Sequence, residues 1–223
     1  MRRLAAAATL LFATTVSAQD ADRSVAGGGI NVAGWKGRVD ERPAKQGKSV
    51  KDSKFDKDGN NFVLKVGPAA IYWSDANAAS GDYTVKASYT ERAMKVQHPH
   101  SYGVFIGGNN MDDETKQTFA YCIVYGTGKY SIKYFNGWKV TTVAEMVEHA
   151  AIKKADAQGD ATNEVGWRVK GGSATCVVNG QDVKTLTSAD LVGEGKLASL
   201  NGKFGYRVSH NLDLTVTPLA LGK

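Results

Sequence analysis

The chain has 223 residues with 42% hydrophobic and 22% charged side chains and a net charge of +6. That length and composition describe one ordinary globular core, and exclude a collagen-like, low-complexity or disulfide-dense chain. Its basic residues are scattered, so the charge reads as a solvated surface and not as a nucleic-acid arm.

The first residues read as an address. Met1-Arg2-Arg3 is a short basic start, residues 4–16 carry no charge, and Val16-Ser17-Ala18 puts small residues where a signal peptidase reads. The apolar stretch is too short for the roughly 20 residues a membrane-spanning helix needs. No later stretch is apolar enough to span a bilayer. Residues 1–18 are therefore expected to be a cleaved signal peptide, and the protein to be exported to the periplasm or outside the cell. Removing them takes two arginines and lowers the net charge to +4. Residues 19–33, with Gly27-Gly28-Gly29, read as a flexible leader. One domain is expected over residues 34–223.

From there the apolar pattern has period two. Tyr83, Val85, Ala87 and Tyr89 alternate with polar residues, as do Tyr102, Val104 and Ile106. Such alternation gives a strand one buried and one exposed face. Residues 119–125, 129–135 and 138–143 predict a three-strand meander. Residues 165–169 and 174–178 predict a hairpin, and 204–208 and 212–216 closing strands. Between them stand turn pairs such as Asn136-Gly137, Asn179-Gly180 and Asn201-Gly202. Asn-Gly accepts the positive φ angles of tight hairpin turns. The fold class expected is an all-β, two-sheet antiparallel jelly-roll sandwich. One stretch departs from the pattern. Val143, Met146, Val147 and Ala150 recur at helical spacing and read as a short helix or an irregular crossing loop. The two cysteines, Cys122 and Cys176, fall in predicted strands, where they would face each other across neighbouring strands as a disulfide or remain buried thiols.

Several segments carry a resemblance. In order they are residues 34–40 (Gly-Trp-Lys-Gly-Arg-Val-Asp), 67–73 (Gly-Pro-Ala-Ala-Ile-Tyr-Trp), 81–85, 102–108, 128–133, 163–165, 177–180 and 205–213. Together they resemble secreted bacterial concanavalin A-like domains of the 3-keto-disaccharide hydrolase-like family. The resemblance implies a lectin- and glucanase-type sandwich whose concave face often receives a glycan. It does not choose between a binding module, a hydrolase and a scaffold.

The residues favour binding over catalysis. No run of alternating acids presents a glycosidase pair on one strand face. No nucleophile elbow or helical zinc motif occurs. Asp112-Asp113-Glu114 reads as a solvated loop, and Glu91 projects from a sheet face without an evident partner. His98 and His100, with His210 as a third group, are too loosely spaced to make a metal site of the usual kind, so no cofactor and no metal are expected. His210 shares parity with Tyr206 and Val208, which reads as a buried structural imidazole or as a polar group on a binding face. Flat aromatic rings with a polar handle suit sugar recognition. The candidate ligand-binding residues are therefore Tyr72, Trp73, His98, His100, Tyr102, Trp138 and His210, while Trp35 and Trp167 read as core. The expected function is glycan binding without catalysis. A glycoside hydrolase acting on (3-keto-)disaccharides or polysaccharides and a structural adhesion module are the alternatives.

Overall fold

The computed structural model describes residues 20–94 and 98–223, so the predicted signal peptide lies outside the described residues. The strands are β1 (Gly29–Ile30), β2 (Trp35–Val39), β3 (Lys54–Asp58), β4 (Asn61–Lys65), β5 (Ala70–Ala79), β6 (Tyr83–Glu91), β7 (Ser101–Asn109) and β8 (Thr118–Tyr125). They continue as β9 (Lys129–Asn136), β10 (Lys139–Glu148), β11 (Ala161–Lys170), β12 (Ser173–Val178), β13 (Gln181–Thr187), β14 (Gly202–Val208), β15 (Asp213–Val216) and β16 (Ala220–Gly222). Two one-turn helices, α1 (Glu41–Lys45) and α2 (Ser188–Leu191), sit in connections.

The strands form two sheets. A seven-stranded sheet has the order β10-β9-β8-β7-β14-β5-β2. A nine-stranded sheet has the order β1-β3-β4-β15-β6-β11-β12-β13, with β16 also pairing with β6. The short β1–β3 pair is parallel, and the other pairings are antiparallel. The chain passes repeatedly from one sheet to the other, which makes the fold a jelly-roll sandwich, as its alternating pattern predicts. Among the described residues, no helix is long and apolar enough to cross a membrane.

Inward-facing positions of both sheets form the main core, which includes Phe55, Leu64, Val85, Tyr89, Val104, Ile132, Trp167 and Tyr206. Its large aromatic residues keep their polar atoms bonded across the interior. Trp167 donates Nε1–H to the Val104 carbonyl at 3.0 Å, and Tyr89 donates its hydroxyl to the Gly103 carbonyl at 2.6 Å. Each bond ties one sheet to the other. Trp35 stacks on Tyr206 with centroids 5.2 Å apart, and Trp167 is fully buried, as expected of core residues.

Two expectations need correction. Cys122 and Cys176 are disulfide-bonded, with Cα atoms 6.1 Å apart. Cys122 lies in β8 and Cys176 in β12, so the bond crosses between the sheets and does not join neighbouring strands of one sheet. The stretch with helical spacing is also not a helix. Val143, Met146 and Val147 lie in β10 and Ala150 in the turn after it, and the register with β9 shifts between Thr142 and Ala144 and again between Ala144 and Val147. The extra residues break the two-residue parity, and Met146 takes a positive φ of 48°. Apolar residues on this edge strand then fall at a spacing that mimics a helix.

Within the segment read as a leader, Arg23 is anchored to the sandwich. Its guanidinium donates to the Val66 and Leu212 carbonyls and pairs with Asp213 at 2.7 Å.

Candidate functional site

The outer faces of the two sheets differ in kind. That of the nine-stranded sheet carries Thr84, Lys86, Thr90, Thr162, Glu164 and Arg168, an ordinary polar surface. On the seven-stranded sheet, β8 is buried along its whole length, on both faces. Antiparallel strands with one solvated face alternate instead. A second apolar cluster accounts for this. Ile71, Trp73, Phe105, Met111, Phe119, Tyr121, Ile123 and Phe135 pack together on the outer face, separate from the main core.

Register builds this face in rows. One row runs Lys36, Trp73, Gly205, Phe105, Tyr121, Lys133 across six strands. The next runs Arg38, Ile71, Arg207, Gly103, Ile123, Ser131. Gly205 is required in the first row. A Cβ there would lie 2.5 Å from the Phe105 ring and 2.2 Å from the Tyr72 carbonyl oxygen.

Cations cap the rings. The Arg38 guanidinium lies 5.6 Å from the Trp73 ring centroid and donates to the Met111 carbonyl at 2.8 Å and to Gln117 Oε1. Burial lowers its pKa against the nearby acids Asp112, Asp113 and Glu114. Arg207 lies 5.0 Å from Tyr121 and 5.7 Å from Phe135, and both its terminal nitrogens reach Asp40, at 2.5 and 2.6 Å. Lys133 pairs with Glu145 at 2.6 Å, and Lys36 with Asp75 at 2.8 Å and Asp112 at 3.1 Å. Tyr121 is pushed up to about 12 by burial, so its phenol stays protonated. Trp73 Nε1 is buried without a hydrogen-bond partner. A cavity of about 600 Å³ opens at the end of this face, lined by Asp75, Asn109, Asn110, Met111, Lys116 and Lys203 among others. That is the volume range of small-ligand sites.

A second cluster stands at the opposite end of the sandwich. His100 and His210 meet edge to face with centroids 4.4 Å apart, and His210 Nδ1 is 2.8 Å from Asp22. Asp20 and Ala21 lie between two neighbouring cavities, of about 400 Å³ on the His210 side and about 350 Å³ on the His100 side. The smaller one is also lined by Glu91, whose carboxyl is 2% exposed. Burial pushes Glu91 up to about 8.

The candidates named from sequence thus divide. Trp73 stands on the outer face of the seven-stranded sheet but is 3% exposed, and His100 and His210 meet at the end cluster. His98 is exposed, and Trp138 is half-buried in the β9–β10 turn. Tyr72 and Tyr102 point between the sheets and are 1% and 0% exposed, with Tyr102 stacked on Tyr89 at 5.1 Å. Neither ring meets solvent. Sequence reasoning did not single out Arg38, Tyr121, Lys133 or Arg207. One signal was available: residues 119–125 are apolar at both parities, which in a meander marks a covered outer face.

No protein-family model matches the chain, and no curated protein sequence matches it. Solved structures do. The carbohydrate binding module CBM66 from Bacillus subtilis superposes with a TM-score of 0.58 at 9% identity, over 87% of this chain and 98% of that one. A protein of unknown function with a galectin-like fold, also from Bacillus subtilis, gives 0.54 at 10% identity, over 84% and 88%. Alginate lyase A1-II′ gives 0.50 at 15% identity, over 86% and 96%. At such identities the likeness establishes the fold: a jelly-roll sandwich of the galectin-like and concanavalin A-like kind, shared by binding modules and by polysaccharide-cleaving enzymes.

Proposed function

We propose that this protein binds carbohydrate on the outer face of its seven-stranded sheet. One observation carries the reading: an outer sheet face holding Trp73, Tyr121 and Phe135 beneath Arg38 and Arg207, with Lys36 and Lys133 flanking. The rings, each 3% exposed, form an apolar floor that fixes the cations, and fixed cations orient oxygen-rich ligands. The CBM66 fold likeness supports the same reading. So does the resemblance to 3-keto-disaccharide hydrolase-like domains, which names (3-keto-)disaccharides as one ligand class to test first.

Binding is favoured over cleavage by the state of the acids. Asp40 and Glu145 both lie close enough to act electrostatically on Tyr121. Each is held in an ion pair, with Arg207 and Lys133 respectively. Two-carboxylate hydrolysis needs acids facing a scissile bond. The proposal includes export: the basic, apolar and small-residue start directs the chain out of the cytoplasm, where the Cys122–Cys176 bond persists.

A glycan array probed with the protein, followed by tryptophan fluorescence titration, tests the reading. Binding is expected, and Lys133→Ala or Arg38→Ala should weaken it by about tenfold, the loss of one charged hydrogen bond. No binder among plant, bacterial and storage glycans, or binding untouched by both substitutions, would overturn it.

A further inference from the structure

Glu91 closes the last turn of an apolar series. Tyr83, Val85, Ala87, Tyr89 and Glu91 share one parity on β6 and point between the sheets. The carboxyl therefore emerges at the end of the interior, beside Tyr102, and is 2% exposed. Its Oε2 has no hydrogen-bond partner. A buried polar atom left unpaired costs about 1–3 kcal/mol, so such atoms call for a specific explanation. The backbone around it is shaped to leave room. At Gly126 a Cβ would come within 2.9 Å of Glu91 Oε2 and 2.5 Å of Met94 Sδ. The carboxyl lines the cavity of about 350 Å³, together with Arg23, Arg92, Met94, His100 and Asp213.

We propose that this end cavity is a binding site for a compact, uncharged hydroxylated ligand, a single sugar or polyol unit, with the Glu91 carboxyl as its hydrogen-bonding anchor. The volume of about 350 Å³ suits one such unit. Charge selects against anionic ligands. Arg23 is paired with Asp213 and Arg92 with Asp160, while the Asp20 carboxylate, which accepts from the Asn211 amide at 3.3 Å, adds a negative charge to the rim. The anchor itself is neutral at physiological pH, since burial holds its proton in place. A neutral carboxyl offers one donor and one acceptor, the complement of a hydroxyl group. This site lies at the opposite end of the sandwich from the cavity of about 600 Å³ and does not rest on the carbohydrate reading proposed for the Trp73 face.

Met94 supplies the readout. The full chain carrying ¹³C-methyl methionine is titrated with glucose, glycerol, glucuronate and glucosamine at millimolar concentrations. Saturable movement of the Met94 methyl signal is expected with glucose or glycerol, and much weaker movement with glucuronate. Glu91→Leu, which leaves no buried polar atom behind, should lose the response by about tenfold or more. Trp73→Phe should leave it unchanged. A Met94 signal unmoved by either neutral probe in the folded protein overturns the site. So does an equal response from Glu91→Leu, while preference for glucuronate or glucosamine overturns the ligand class. Loss of the response in Trp73→Phe together with Glu91→Leu would assign the signal to the sheet face instead.

Discussion

Arg207 and Asp40 form a two-pronged ion pair on the outer face of the seven-stranded sheet, with bonds of 2.5 and 2.6 Å, and the guanidinium plane lies over Tyr121 and Phe135. The arginine is 6% exposed. Burial opposes its charge, but the Asp40 carboxylate outweighs burial and holds its pKa above the ordinary value. A planar fork matches a carboxylate at two points and stacks on rings, whereas an ammonium does neither. Arg207→Lys is therefore expected to lower unfolding free energy by roughly 2–3 kcal/mol, the scale of a lost charged hydrogen bond. Urea denaturation measures it, and a change under half a kilocalorie would contradict the pair's structural role.

The Cys122–Cys176 bond closes a sequence separation of 54 residues and joins the two sheets. On the loop-entropy scale such a crosslink contributes about 4 kcal/mol. The double variant Cys122→Ala/Cys176→Ala should unfold at markedly lower urea. Wild-type protein under reductant should move toward the same midpoint.

Glu91 makes a pH prediction with a definite sign. Its folded pKa of about 8 lies above the ordinary value of 4.5, so the folded state holds its proton more tightly than the unfolded chain. Stability present below pH 4.5 is lost progressively as pH rises toward 8. Glu91→Gln should flatten that decline and be more stable at neutral pH by up to roughly 3 kcal/mol. Melting curves taken from acid to mildly alkaline buffer decide it; parallel curves for the two proteins would show that Glu91 does not titrate in this range.

Arg23 ties the segment before β1 to the strand end at Asp213 through one ion pair and two carbonyl bonds. Arg23→Ala should cost about 1–2 kcal/mol and open residues 20–28 to limited proteolysis. Cleavage at wild-type rates would place the anchor elsewhere.

Much of this was legible before any coordinates. Two-residue alternation and the Asn-Gly turns define strands at 119–125, 129–135, 165–169, 174–178 and 204–208, all of which the sandwich contains. Parity within a strand depends only on neighbouring residues, so it can be read along the chain. Trp167 is recognisable as core for the same reason, since it shares parity with Val165 and Val169. The reading failed at β10, because bulges insert residues that shift parity without leaving a sequence mark.

What parity alone leaves open is which sheet a strand joins and what lies across from it. Cys122 and Cys176 meet because β8 and β12 belong to opposite sheets, a fact of long-range pairing. Trp73, Tyr121 and Arg207 come from three strands far apart in sequence and share a face only through the register of β5, β14, β7 and β8. Local alternation thus determines that the chain is built of half-buried strands. Hydrogen-bond register between distant strands decides which side chains become neighbours, and so where a ligand can bind.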